Sequence, residues 1–128
     1  MNKATELMKA AGTFYLATAE GDQARVRPFG AVADIDGKTY ICLNNTKNVF
    51  KQMMANPKAE ICGMVGSKWF RIQCKLNRDD TNEAREKMLV ANESLRNMYK
   101  ADDGIYEVFY LSDVKGTYES FSDPKEEF

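Results

Sequence analysis

Histidine is absent from this chain of 128 residues, and no other feature of its composition excludes as much chemistry. Without an imidazole there is no Ser–His or Cys–His nucleophile pair, and the most common general base is missing. The usual ligands of zinc, non-heme iron and heme iron are missing for the same reason. We therefore predict no metal site, and if the protein is an enzyme we expect a bound cofactor to carry the reaction.

Paired cysteines and long apolar runs are absent as well. The three cysteines, Cys42, Cys62 and Cys74, are odd in number and form no C-x-x-C pair, which indicates reduced thiols rather than a disulfide framework. No apolar run approaches the length of a membrane span, and the N-terminus lacks a basic segment followed by an apolar one. We therefore expect a cytoplasmic protein without a membrane partner.

Net charge is nearly absent, because 18 basic and 19 acidic residues leave a formal charge of −1. A chain of this charge has no global field that would recruit nucleic acid. The charges are nevertheless uneven, since residues 23–33 hold two arginines and no acid, and residues 37–59 hold four lysines and no acid. A neutral protein with one cationic stretch indicates a local site for an anion.

Short strands with hairpin turns dominate the pattern, and the length fits a single domain over residues 1–128. Helices are predicted over 2–11 and 47–55 and from Asp80 onward, with a second segment after it and with Met88, Leu95 and Met98 in the core. Strands are predicted over 13–19, 23–34, 39–44, 59–65, 69–76, 105–111 and 114–121, the last two joined by a turn at Ser112-Asp113. This mixture predicts an α+β fold with an antiparallel barrel.

Two arginines alternate along the second predicted strand, in the run Arg25-Val26-Arg27-Pro28. The alternation places Arg25 and Arg27 on one face of the strand and Val26 on the other. Two like charges on one face repel each other unless an anion or a carboxylate lies between them. The pair is explained either by an anion site or by a solvated outer face, and Pro28 marks an edge or a bulge.

Two lysines mark the start of the short second helix. Thr46 is its predicted N-cap, and Lys47 and Lys51 are four residues apart, hence on one helical face. A lysine in the first turn opposes the positive end of the helix dipole, and a bound anion would resolve that conflict. Free helix amides, a hydroxyl and two ammonium groups favour a phosphate site, with a polar surface helix as the alternative.

The only tryptophan, Trp69, shares a predicted strand face with Arg71, while Phe70 and Ile72 alternate towards the core. An exposed tryptophan beside a cation is typical of a site for a planar ligand or of a subunit interface. The alternative is a tryptophan at the rim of the sheet whose neighbours lie in solvent.

The order of these motifs resembles the pyridoxamine 5′-phosphate oxidase-like FMN-binding split barrels. The resemblance runs from about Gly12 to Leu76 and is carried by the segments FYLAT, RVRPFG, YICLNNTKNVFKQMMANPKAEI and WFRIQC. It implies a six-stranded antiparallel split β-barrel with peripheral helices, and a homodimer with FMN at its interface. Carried over by position, the residues that would bind FMN are Arg25, Arg27, Leu43, Asn44, Thr46, Lys47, Lys51, Trp69 and Arg71.

The same resemblance implies an FMN-dependent oxidoreductase that passes a hydride or electrons from a reduced nicotinamide, or a similar donor, to a small acceptor. Residues from Ser112 onward lack the tryptophan, arginine and histidine of the true oxidase's substrate segment, so oxidation of pyridoxamine 5′-phosphate is not expected. No catalytic side chain is assigned. Two alternatives stay open: a non-catalytic module that binds or senses FMN, and a small barrel that binds single-stranded nucleic acid through Arg25, Arg27 and Trp69.

Overall fold

The computed structural model describes all 128 residues and has the α+β architecture that the sequence predicts. The helices are α1 (Lys3–Ala11), α2 (Asn48–Ala55) and α3 (Asn82–Ala91), and a 3-10 helix (Glu93–Asn97) follows α3. The strands are β1 (Phe14–Glu20), β2 (Gln23–Phe29), β3 (Val32–Ile35), β4 (Lys38–Asn44), β5 (Lys58–Val65), β6 (Lys68–Arg78), β7 (Tyr106–Glu119) and β8 (Glu126–Glu127). None of the helices has the length and apolar character needed to span a membrane.

The strands form one antiparallel sheet in the order β2-β1-β5-β6-β7-β4-β3, with β8 added to β7. Strands β2 and β3 lie at the two ends of this order, yet only Gly30 and Ala31 separate them along the chain. The sheet must therefore curl until its edges meet without a hydrogen-bonded ladder between them. The predicted split barrel is confirmed, with eight strands in place of the six expected.

The predicted strand over residues 23–34 is in fact two strands, β2 and β3, on opposite edges of the sheet. Val26 of β2 pairs with Ala17 of β1, whereas Ala33 of β3 pairs with Tyr40 of β4. Val26 and Val32 alternate in phase across the break, so periodicity alone gives no sign that the chain changes partners. Pro28 is the one residue of β2 without a backbone N–H, and it lies next to the end of this edge strand.

The predicted turn at Ser112-Asp113 is a bulge inside the single long strand β7. Gln73 and Lys75 of β6 pair with Lys115 and Ser112, so β7 carries one residue more than β6 between these pairs. Asp113 accommodates the extra residue with a φ of 51°, a left-handed conformation that aspartate tolerates. Ser112 and Asp113 therefore bend one continuous strand and do not reverse the chain direction.

Helices α1 and α3 start close to their predicted positions. Asn2 caps α1 by accepting a hydrogen bond from the amide of Thr5 at 2.8 Å. Helix α3 begins one position later than the sequence suggested, because Thr81 rather than Asp80 accepts the amide hydrogen of Ala84, at 3.2 Å. Asp80 instead forms an ion pair with the guanidinium of Arg85 in α3.

Two apolar clusters enclose β4 from both sides. Ile41 and Leu43 point into the barrel, whereas Cys42 points into a second cluster beneath α3. Met88 is fully buried and Leu95 is buried in that second cluster, as predicted. The prediction that Met98 is a core residue is wrong, since its side chain is 65% exposed. The regular helical spacing fails there because α3 ends at residue 91 and the next turn is a tighter 3-10 helix.

Gly63 of β5 lies in the barrel interior against the ring of Phe70, its partner on β6. A Cβ atom at residue 63 would lie 2.7 Å from Cζ of Phe70, which is fully buried. We expect Gly63→Ala to lower the free energy of unfolding by about 1–3 kcal/mol, because an overpacked core forces side chains out of their rotamers.

Urea unfolding measures this loss, with Gly30→Ala as the matched control. The nearest atom to a Cβ at residue 30 is 3.9 Å away, so that variant should keep the stability of the wild type. Wild-type stability of Gly63→Ala would contradict the close packing of this glycine.

Candidate functional site

A cavity of about 860 Å³ opens between β2, the start of α2 and the segment after α3. Its charged lining residues are Glu20, Arg25, Arg27 and Lys47, so cations outnumber acids. No group of three cysteine, aspartate or glutamate side chains converges anywhere in the chain as ligands for a metal ion.

Arg27 is fixed in the cavity by three hydrogen bonds to uncharged acceptors. Its Nη1 atom donates to the carbonyl of Leu16 at 3.1 Å and to Oγ1 of Thr18 at 2.8 Å, and its Nη2 atom donates to Oε1 of Gln52 at 2.6 Å. None of the ion pairs of the chain includes Arg27.

The charge of Arg27 is thus uncompensated by any carboxylate. Burial, and then the neighbouring charge of Arg25, lower the pKa of the Arg27 guanidinium. An arginine nevertheless keeps its proton at physiological pH. A permanent positive charge in a partly desolvated cavity attracts an anion more strongly than the same charge in open water does.

Gln52 and Thr18 hold Arg27 in place, and neither was among the predicted site residues. Both are buried, and the hydroxyl of Thr18 donates to Oε1 of Gln52 at 2.7 Å. The amide of Gln52 in turn donates to Glu20 at 3.2 Å, which fixes which way its carbonyl oxygen points. A signal was present in the sequence, because Gln52 falls on the apolar face of α2 beside the buried Val49 and Met53.

Arg25 differs from Arg27 because it has a carboxylate partner at the rim of the cavity. Its Nη2 atom lies 3.1 Å from Oε1 of Glu20, and both side chains are about half exposed. The hydrogen bond from Arg25, followed by the one from Gln52, lowers the pKa of Glu20. An exposed ion pair of this kind contributes little stability, so an anion in the cavity can compete with Glu20 for Arg25.

Helix α2 begins one residue later than predicted, and Thr46 is not its N-cap. The amide and the hydroxyl of Thr46 both donate to Oδ1 of Asn44, at 2.8 and 2.6 Å, which removes that hydroxyl from a capping role. Lys47 takes the N-cap position without any side-chain cap. Asn48 and Val49, the first residues of the helix, line the cavity. Uncapped amides at a helix start are the backbone groups that bind anions.

Part of the cavity lining carries no charge. It includes Cys42 of β4 and Leu95, Met98 and Tyr99 from the segment after α3, and the ring of Tyr99 stacks on Tyr106 with centroids 4.8 Å apart. Burial raises the pKa of the Cys42 thiol to about 11, so this thiol is protonated at neutral pH. The sequence did not point to this segment as part of a site. A lining that combines cations with apolar and aromatic side chains fits a ligand with an anionic group and an apolar body.

The structure brings together five of the nine predicted site residues. Those that line the cavity are Arg25, Arg27, Leu43, Asn44 and Lys47, and those that do not are Thr46, Lys51, Trp69 and Arg71. Lys51 is exposed, one helical turn beyond Lys47.

Trp69 and the two strand arginines face opposite sides of the sheet. Arg27 pairs with Leu16 on the inner face, whereas Trp69 precedes the inward-facing Phe70 and therefore faces outward. The ring of Trp69 packs against Phe121 with centroids 4.9 Å apart. The second alternative from the sequence was a nucleic-acid groove that includes Arg25, Arg27 and Trp69. One chain does not form such a groove, because these side chains lie on opposite faces of the sheet.

Comparison with known proteins gives a family and a fold. The family model of pyridoxamine 5′-phosphate oxidase matches residues 1–119. The crystal structure of a NimC/NimA family protein from Clostridium acetobutylicum is 51% identical, with a TM-score of 0.96 over 98% of this chain and 89% of that one. None of the curated proteins matches this chain.

Two more distant structures show the fold alone. A pyridoxamine 5′-phosphate oxidase-related, FMN-binding protein from Nostoc punctiforme has a TM-score of 0.72 and 15% identity, covering 96% of this chain and 82% of that one. A heme-binding protein from Mycobacterium smegmatis has a TM-score of 0.77 and 14% identity, covering 100% of this chain and 58% of that one.

Proposed function

This chain belongs to the pyridoxamine 5′-phosphate oxidase family, and from that membership we propose that it is an FMN-binding oxidoreductase. The observation that carries the proposal is Arg27, a cation that faces the cavity with only uncharged partners. FMN has one terminal phosphate and one planar ring system, which match the cationic and the uncharged parts of the cavity lining. A relative in the same fold from Nostoc punctiforme is described as FMN-binding, which agrees with this choice of ligand.

The phosphate is proposed to lie where Arg27 and Lys47 meet the first amides of α2. Charged donors and helix amides together give short, strong hydrogen bonds to phosphate oxygens. Lys47 at the helix start is unfavourable without an anion, because it adds positive charge beside the positive end of the helix dipole. Thr46 precedes Lys47 in the chain and Lys51 lies one helical turn beyond it. Leu43 and Asn44 line the cavity and would border the ring.

Bound FMN would supply transfer of a hydride from a reduced nicotinamide, or a similar donor, to a small acceptor. The residues of the chain would bind the cofactor, orient it and exclude water from it. Arg27 keeps its proton and would favour negative charge in the cavity. No side chain has to act as a covalent nucleophile, and the Cys42 thiol, whose pKa burial raises to about 11, is poorly suited to be one.

The working unit is proposed to be a homodimer joined through the outer face of β1, β2, β5 and β6. This face exposes three large apolar side chains, Tyr15, Val26 and Met64, at 44%, 67% and 56% of their surface. Met64 pairs with Trp69 on the same face, and Tyr15 lies two strands away from Arg71. Exposed apolar surface of this kind is typical of a subunit interface. A second copy would let Trp69 and Arg71 contribute to a flavin site shared between subunits.

The phosphate site is tested by comparing FMN with riboflavin, which lacks the phosphate. We expect Lys47→Ala to weaken FMN binding on the order of tenfold and to leave riboflavin binding unchanged, because one charge-assisted hydrogen bond is lost. Fluorescence titration of the apo-protein at two salt concentrations measures both affinities, with circular dichroism to check folding.

Lys51→Ala is the matched control, since it removes the same charge from α2 outside the cavity and should have a smaller effect. Equal losses in the two variants would move the phosphate from the helix start to the side of the helix. Unchanged FMN affinity in Lys47→Ala would refute the proposed phosphate site.

The dimer is tested by placing a charge on the outer face of β2. Light scattering at micromolar concentration should give the mass of a dimer for the wild type. Val26→Asp should shift it towards the monomer and reduce FMN retention, because a desolvated carboxylate without a partner is costly at an interface. Val90→Asp on α3 is the control, since Val90 is 59% exposed elsewhere. A wild-type monomer that retains FMN would rule out the shared site.

Turnover separates an oxidoreductase from a non-catalytic FMN module. The FMN-loaded protein should oxidise NADH or NADPH when a quinone or a nitro compound is present, each turnover moving one hydride to the acceptor, which takes a proton from solvent. The rate is followed as loss of nicotinamide absorbance, against free FMN at the same concentration. A rate no higher than that of free FMN would favour the sensing or storage module over the enzyme.

A further inference from the structure

Glu107 is the only charged residue among the buried residues of the chain, and the proposed cofactor site makes no direct use of it. It lies on β7, opposite Leu43 of β4, and its side chain points to the inner face of the sheet. A carboxylate in such a position is costly to desolvate unless all its acceptor sites are used. The hydrogen-bond partners of Glu107 therefore indicate the role of this residue.

Both carboxylate oxygens of Glu107 accept hydrogen bonds. Nε and Nη2 of Arg78 donate to Oε1 and Oε2 at 2.8 and 3.1 Å, which makes a bidentate pair. The side-chain amide of Asn45 donates to Oε2 at 2.9 Å. Because both donor groups are planar, these hydrogen bonds fix the orientation of the carboxylate, of the guanidinium and of the amide.

These two partners hold the two sides of the loop that carries Lys47. Asn45 begins the loop after β4, and its backbone amide also donates to the carbonyl of Ile105 at 2.9 Å. The guanidinium of Arg78 lies over the ring of Phe50 in the first turn of α2, 5.7 Å from its centroid. One buried carboxylate thus connects the start of the loop to the helix that follows it.

We propose that Glu107 is a positioning residue, which sets residues 45–50 so that Lys47 and the first amides of α2 receive a phosphate. This inference rests on the proposed function. Stability alone does not explain the arrangement, because replacing a buried ion pair by apolar residues of similar volume is often neutral or stabilising. The carboxylate contributes orientation, because it fixes the planar guanidinium of Arg78 and the side-chain amide of Asn45 at the same time.

The test is the ratio of FMN affinity to riboflavin affinity in Glu107→Gln. A glutamine has an acceptor on one side only, so its NH2 group would face a donor of Arg78 or of Asn45. We expect the ratio to fall on the order of tenfold while riboflavin affinity is kept. The matched control is Thr39→Val, which removes the hydrogen bonds of the Thr39 hydroxyl to Thr5 and Asn2 at the far end of β4 and should keep the ratio.

A double variant separates positioning from stability. Replacing Glu107 and Arg78 together by Met should restore much of the melting temperature lost in Glu107→Gln, yet the affinity ratio should stay low because Asn45 has lost its acceptor. A loss of affinity for both ligands alike, or recovery of the ratio in the double variant, would overturn the inference.

Amide hydrogen exchange in ligand-free protein gives a readout that does not depend on FMN. Residues 45–50 should exchange faster in Glu107→Gln than in the wild type or in Thr39→Val, and unchanged exchange would overturn the inference. If wild-type protein itself shows no preference for FMN over riboflavin, the proposed phosphate site fails. Faster exchange in Glu107→Gln would then still support Glu107 as the residue that holds the loop.

Discussion

The cavity depends on one topological constraint, the two-residue link between the edges of the sheet. Strands β2 and β3 end the strand order on opposite sides, and Gly30 and Ala31 leave no room for them to separate. Their approach brings Arg27 on β2 close to α2, which follows β4, and to the segment after α3. Residues far apart in sequence therefore line one space, although the edges form no ladder with each other. The candidate site is this space, and Gly30 and Ala31 of the link belong to its lining.

The electrostatics of the site follow from what surrounds Arg27. Thr18 and Gln52 use their hydrogen bonds to orient the guanidinium but give it no negative charge. Lys47 adds a second cation at the start of α2. Each feature is unfavourable in the ligand-free chain, and an anion would relieve both together. Local rules that a sequence breaks without compensation are expected at functional sites, and any ligand that supplies the compensation stabilises the folded state by mass action.

Most helices and strands could be predicted from periodicity and turn residues, because these depend on neighbours in sequence. The incorrect predictions lie at positions where residues distant in sequence determine the local structure. The turn signal at Asp113 became a bulge because β6 continues alongside. Thr46 does not cap α2 because its hydroxyl donates to Asn44, a contact that a spacing rule does not weigh. For the site, charge and spacing predicted Arg27 and Lys47, whereas Gln52 and the segment around Tyr99 depend on which faces the curled sheet brings together.

Strand β2 contributes to both parts of the proposed function, because its inner face carries two arginines and its outer face carries an exposed apolar side chain. None of its residues is buried, and its only ladder is with β1. Arg25 and Arg27 face the cavity, and Val26 between them faces outward among exposed apolar side chains. An edge strand with so little burial gains its remaining stability from what covers it. An anion on the inner face and a second subunit on the outer face would each order the same seven residues. Either event would therefore reduce the conformational entropy cost of the other, and the proposed cofactor binding and assembly would be thermodynamically coupled through this strand.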